Sequence, residues 1–271
     1  MEHDVRICDY EGSPYRRVFW EEGDRAYEDA TERLAVGALL PPVGTRLLDI
    51  GAGFGRLVDA YAGYERVYLL DYARSMLADA RSVHGDRCTY VCADLYHLPF
   101  ATGALDVVVQ VRVLHHVERI DDAFDEVARV LPSGGAYLLE FANKRHLKAI
   151  LRRFARRGPA NPFDKRPYEF VPLNWDFHPA HVRGALRTAG LFVAASRAVS
   201  HFRVAPLKRR LAAGTLARLD AAVGRPFAPL ALAPSQFVLA VRHGAPSGSG
   251  GLWRCPACGS EPLGEVGDAV P

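Results

Sequence analysis

The sequence predicts an α/β fold, a doubly wound sheet of seven mostly parallel strands with helical insertions after strands five and six. Three observations predict it. From about residue 44 to residue 141, short apolar runs alternate with helical patterns, the rhythm of a parallel sheet covered by helices. The first run, Leu47-Leu48, ends in Asp49, and glycines follow at 51, 53 and 55, so a buried strand turns sharply toward a helix. Glycine permits a positive-φ turn and leaves no Cβ between the backbone and a ligand. Two later apolar runs also close on acids: Val67-Tyr68-Leu69-Leu70 on Asp71, and Thr89-Tyr90-Val91-Cys92 on Asp94, one residue further along.

The elements follow in order. Residues 1–43 read as a helical cap: Glu21–Leu40 has helical periodicity through Ala26, Ala30, Leu34 and Ala38, and Pro41-Pro42 stops it. Strands are expected near 46–49, 67–70, 89–92, 105–111 and 136–141, with helices near Arg56–Ala62, Ala73–Val83 and Ile120–Leu131. Cys88 and Cys92 are expected as small buried hydrophobes. Insertions follow at about 142–176 and 200–233. In the first, Leu147, Ile150, Leu151 and Phe154 repeat at helical spacing among basic residues. The irregular stretch 158–176 comes next, then a helix His178–Ala189 with Pro179 in its first turn. Leu191–Val199 and Ser235–His243 are the last strands, with helix expected between them near 207–222. This domain runs over 44–244. Residues 245–271 read as a flexible linker, APSGSGG, and a tail containing Cys255-Pro256-Ala257-Cys258-Gly259.

Composition bounds the function. The chain has 271 residues and is 49% hydrophobic, enough for one sizeable domain with insertions. No apolar run approaches the ~20 residues of a membrane span. The start, MEHDVRICDYEGSPY, does not read as a signal peptide, and five cysteines do not make a secreted disulfide framework, so a cytoplasmic location is expected. The net charge of +3 hides an asymmetry: residues 1–140 carry 14 Lys/Arg against 24 Asp/Glu, and residues 141–210 carry 16 against 3. Such a basic stretch points to an anionic partner or surface.

The glycine turn excludes one cofactor class. A dinucleotide fingerprint needs GxGxxG, and Arg56 stands at the third glycine's place. The acid before the first glycine repels a diphosphate and suits a cationic amino-acid group. Asp71 falls about 20 residues on, where an acid takes ribose hydroxyls.

On these residues the sequence resembles the class I S-adenosylmethionine-dependent methyltransferases. LLDIGAGFGR is similar to their first motif, LLDYARSML to the second and CADLYHLPF to the adenine motif; LDVVVQVRVLHHV and RVLPSGGAYLLEF match the fourth and fifth segments in order. The match spans residues 45–141, about a third of the chain. The resemblance implies S-adenosylmethionine as cofactor. It places Asp49, Gly51, Ala52, Gly53 and Gly55 against the methionine part, Asp71 on the ribose, Asp94 and Leu95 at the adenine, and Gln110 and Val111 beside the methionine group, with Tyr72 and Met76 also among the cofactor-binding residues. It also implies that the last two strands form a hairpin, with the final strand antiparallel inside the sheet, and that the N-terminal segment around Tyr15 folds over the cofactor.

The methyl sulfonium is already activated, so positioning the acceptor supplies much of the catalysis, and a base is needed only where the acceptor must lose a proton. His115 and His116 are the candidates for that base, and a packed pair at the start of a helix is the alternative. Tyr15, Arg112, Asn174 and His178 are candidates for the acceptor pocket. The expected reaction is methyl transfer to a small molecule, lipid- or quinone-like acceptors included. An RNA or protein methyltransferase and a non-catalytic cofactor-binding module are the alternatives. Residues 144–157 would suit an anionic membrane surface, a solvated lid helix or RNA phosphates; no DNA partner is expected and no RNA-binding module is matched. Cys255 and Cys258 have the spacing of half a tetrahedral zinc site, but no second Cys or His pair follows, so a metal-free tail is the expected reading and a zinc half-site the alternative.

Overall fold

A computed structural model describes residues 6–157, 161–244 and 251–260. Its strands are β1 (Gly44–Ile50), β2 (Tyr64–Asp71), β3 (Thr89–Cys92), β4 (Val107–Gln110), β5 (Ala136–Ala142), the short pair β6 (Tyr168–Val171) and β7 (Asn174–Asp176), then β8 (Leu191–Val199) and β9 (Ser235–Arg242). Seven form one sheet in the order β3-β2-β1-β4-β5-β9-β8. The first five are parallel, and β9 runs antiparallel between β5 and β8. This is the doubly wound, seven-stranded sheet that the alternation predicts, and the antiparallel final strand inside it is the arrangement that the resemblance implies.

The central strands are buried on both faces, as a parallel sheet sandwiched by helices requires. Alternate residues feed two cores. Leu48, Ile50, Tyr68, Val108 and Leu139 pack against α3 (Ile120–Val130) and α5 (Pro179–Thr188). Leu47, Leu69, Val107, Val109 and Leu138 pack against α1 (Ala26–Leu39) and α2 (Arg74–His84). The remaining helices are α4 (Leu147–Phe154), α6 (Ala205–Arg210) and α7 (Ala213–Gly224). Pro179 stands in the first turn of α5, as expected, and His178 caps it.

Four local expectations need correction. No α-helix follows the glycine turn: residues 58–61 form only a 3₁₀ turn. The positive φ of Gly51, Gly53 and Gly55 spends the chain on tight turns (Gly55 N–H to Ala52 O, Val58 N–H to Gly55 O) before an i→i−4 ladder can start. The helix expected from Glu21 begins at Ala26, and residues 16–21 form a separate π-helical turn. The helix expected over 207–222 divides at Leu211-Ala212 into α6 and α7. Cys92 is exposed, with its thiol donating to Tyr72 O, whereas Cys88 is buried. The irregular stretch 158–176 contains the β6–β7 pair; residues 158–160, 245–250, 1–5 and 261–271 lie outside the described residues.

Residues 251–260 return to the sheet. Ala101 N–H donates to Leu252 O at 2.8 Å, Arg254 N–H donates to Pro99 O at 3.1 Å, and the Trp253 ring stacks on Phe100 with centroids 5.1 Å apart.

Candidate cofactor and acceptor cleft

The carboxyl ends of β1, β2 and β4 open into a cleft. Its floor is the glycine turn, whose shape is set by the neighbouring strand. Ala52 N–H donates to Leu70 O at 3.0 Å, and Gly53 N–H donates to Asp71 Oδ2 at 2.8 Å. Asp71 Oδ1 accepts from Ala73 N–H at 3.0 Å. Asp71 therefore holds the turn as well as facing the cleft. The glycines divide the work. A Cβ on Gly51 would meet Val113 Cγ2 at 2.3 Å, so Gly51 serves packing, whereas one on Gly53 would meet nothing within 4 Å and project into open space.

Three carboxylates line this space: Asp49, Asp71 and Asp94. Asp49 is 4% exposed, and Tyr61 donates to its Oδ2 at 2.8 Å. Burial pushes its pKa up to about 7, against the opposing hydrogen bond from Tyr61. Burial also raises Asp71. Asp94 accepts from Tyr96 N–H at 3.0 Å and pairs with His97. Three acids and a backbone laid open at Gly53 fit a cationic, hydroxyl-bearing nucleoside and would repel a diphosphate.

Most of the predicted cofactor residues meet here: Asp49, Gly51, Ala52, Gly53, Asp71, Tyr72, Met76, Asp94, Leu95 and Val111 all line the cleft. Gly55 and Gln110 do not. Gly55 packs against His84 and Val58, and Gln110 is buried beneath the floor, where Tyr137 donates to its Oε1.

The roof is the N-terminal segment, with Tyr10, Tyr15 and Trp20 facing the cleft. Trp20 is gripped by two cations: Arg56 lies 4.0 Å from its ring and Arg112 lies 5.4 Å away. Arg112 also lies 5.1 Å from Phe19. Both guanidiniums converge on Glu32, fully buried on α1, which accepts from Arg56 Nη2 at 2.6 Å and from Arg112 Nη1 at 2.7 Å. Arg112 holds a left-handed φ of 62°, fixed by its N–H to Glu140 Oε2 at 2.9 Å. Sequence reasoning missed Glu32, Arg56, Trp20 and Tyr10. The available signal was a pair of acids, Glu28 and Glu32, on the core-facing side of a helix.

Of the acceptor-side candidates, Tyr15, Arg112 and His116 face the cleft. His116 Nδ1 lies 2.8 Å from Leu173 O, and a carbonyl only accepts, so Nδ1 carries the proton. Nε2 is then the acceptor for Tyr10 O–H at 3.0 Å. Burial lowers the pKa of His116, so the ring stays neutral at physiological pH. His115 is outside the cleft lining, half-buried against His116, and desolvation also lowers its pKa. Asn174 and His178 are not brought to the cleft. Asn174 donates to Pro172 O in the β6–β7 turn, and the His178 side chain is spent on the Ala180 N–H of α5. In the tail, hydrogen bonds from Ser260 help lower the Cys258 thiol to about 7. No group of three or more His, Cys, Asp or Glu able to hold a metal exists among the described residues.

Comparison with known proteins agrees with this fold. Residues 48–139 match the family model described as a methyltransferase domain. Over 97 residues the chain is 41% identical to the biotin biosynthesis bifunctional protein BioHC of Cellvibrio japonicus, covering 35% of this chain and 19% of that one. Over 149 residues it is 34% identical to the ubiquinone/menaquinone biosynthesis C-methyltransferase UbiE of Roseobacter denitrificans, covering 49% and 60%. The chain thus matches less than two thirds of the length of these relatives. A solved S-adenosylmethionine-dependent methyltransferase from Mesorhizobium loti superposes with a TM-score of 0.55 at 22% identity, over 80% of this chain and all of that one. Fold and family model converge: residues 48–139 match a methyltransferase domain, and the chain has the fold of solved S-adenosylmethionine-dependent methyltransferases.

Proposed function

We propose that the protein transfers the methyl group of S-adenosylmethionine to a small, largely apolar acceptor, with quinone- or lipid-like molecules as the favoured class. The observation that carries this reading is one cleft that brings together three carboxylates, an open glycine turn and the side chains of Tyr10, Tyr15, Trp20 and His116. The cofactor supplies an electrophilic methyl on a sulfonium. Asp49, when ionised, attracts the ammonium of its methionine part; Asp71 accepts from ribose hydroxyls; Asp94 and Leu95 receive the adenine. Gly53 lets the ligand lie against the backbone. The aromatic roof excludes water and leaves an apolar space for the acceptor. Where the acceptor must lose a proton, His116 is the base in reach, with Tyr10 O–H between it and the cleft. Relatives named for quinone and sterol C-methylation support an apolar acceptor. The cysteine usage supports a cytoplasmic enzyme. Among the described residues, no helix is long and apolar enough to cross a membrane.

Titration calorimetry tests the first step. S-adenosylmethionine and S-adenosylhomocysteine should bind the folded chain and NAD should not; heat from NAD alone would overturn the reading. Formation of S-adenosylhomocysteine with quinol, sterol and phospholipid acceptors then separates an enzyme from a cofactor-binding module.

A further inference from the structure

The first insertion carries a helix that is only lightly packed among the described residues: Leu147 N–H donates to Leu232 O at 2.8 Å and Ile150 is half-buried. No residue of α4 is buried. Leu147, Leu151 and Phe154 are 50%, 60% and 75% exposed, and Phe163, itself half-exposed, lies beside Phe154 with ring centroids 6.4 Å apart. Around this apolar stripe stand Lys148, Arg152, Arg153, Arg156 and Arg157, and among the described residues none has an acidic partner. The nearby acids are already engaged: Asp164 pairs with Arg166 at 2.7 Å and Glu169 with Arg6 at 3.2 Å. A lid helix would bury its apolar side, and a face for RNA phosphates has no use for exposed Leu and Phe. Apolar side chains flanked by unpaired cations complement an anionic lipid interface, where the chains enter the acyl boundary and the cations meet the headgroups.

We infer that α4 with Phe163 docks the protein reversibly on anionic membrane surfaces. The helix leaves β5 at the sheet edge that also carries the cleft, so a docked molecule holds the cleft beside the bilayer. With eight residues the contact is weak and depends on charge as well as on apolar insertion.

Co-sedimentation of the full chain with vesicles tests this without reference to methyl transfer. The chain should bind phosphatidylcholine vesicles containing phosphatidylglycerol at low salt, release from them as salt rises, and ignore vesicles of phosphatidylcholine alone. The double variant R152Q/R153Q should lower the partition coefficient about 30-fold. The variant L151S/F154S should lower it at least about tenfold. All four side chains are exposed, so thermal melts should be unchanged. Equal binding to neutral vesicles, no binding at low salt, or full binding by both variants overturns the proposal. So does a chain that captures polyuridylate through Arg152 and Arg153 and ignores vesicles.

Discussion

The floor and the roof of the cleft are built by different physics. The floor is backbone: positive-φ glycines, N–H groups donated to Asp71, and a turn that its neighbouring strand holds in place. The roof is side chains: an aromatic segment clamped by Arg56 and Arg112, which share the buried Glu32 on α1, with Asp29 as a second partner of Arg56. A floor of this kind depends on a few residues adjacent in sequence. A roof of this kind depends on charges brought together from three distant elements, so it fails all at once when the shared charge is removed.

Glu32→Ala should have the largest effect. It leaves two mostly buried guanidiniums without their common partner and should cost about 3–5 kcal/mol, read as a fall in the urea midpoint. A stability close to the parent chain would break the comparison, because the roof would then stand without its network. Gly51→Ala probes the floor. The added Cβ meets Val113 and the φ is left-handed, so a loss of about 2 kcal/mol is expected. Gly53→Ala sharpens the contrast within the floor. It adds a methyl to open space at a φ of 55°, so most of its damage should appear as weakened S-adenosylmethionine binding in calorimetry, beyond any change in melting. Asp71→Asn should weaken the cofactor by about 10- to 100-fold, the range for losing charge-assisted hydrogen bonds.

Smaller effects follow. Asp49 titrates near 7 in the folded chain against an ordinary value of 3.8, so the folded state holds more protons between those values. Stability should therefore fall as pH rises through about 4 to 7 and level off above. Burial shifts Asp71 and Glu140 in the same direction. Asp49→Asn should flatten that slope in urea titrations run across the window, and a slope unchanged by the substitution would remove Asp49 as its source. Affinity for S-adenosylmethionine should rise over the upper part of the window as Asp49 ionises. Trp20→Ala should cost least, about 0.5–1 kcal/mol in cofactor binding, through the lost cation–π contacts.

The same contrast explains what was legible in the sequence. The glycine turn, Asp49, Asp71 and Asp94 are local: each sits where an apolar run stops, and the backbone dictates what may stand there. The alternation that places the strands is local too. Glu32 and Arg112 meet across 80 positions, and no periodicity links them. Arg56, expected as the start of a helix, is a clamp because three glycines delay any helix and free its side chain to reach α1. Asn174 and His178 mislead for the converse reason: polar and aromatic neighbours in sequence, they are consumed by a turn and a helix cap. The periodicity of α4 reads correctly as amphipathic, but periodicity does not say whether the apolar stripe is covered, and here it is not.

Trp253 has a practical consequence. It is 6% exposed and stacks on Phe100, at the end of the segment that begins with Asp94 at the cleft. A C-terminal stretch that looks dispensable is thus a fastener for part of the cofactor wall. Trimming the protein after β9 to obtain a tidier fragment would remove that fastener, and activity or binding assays on the fragment would report on a loosened wall rather than on the native one.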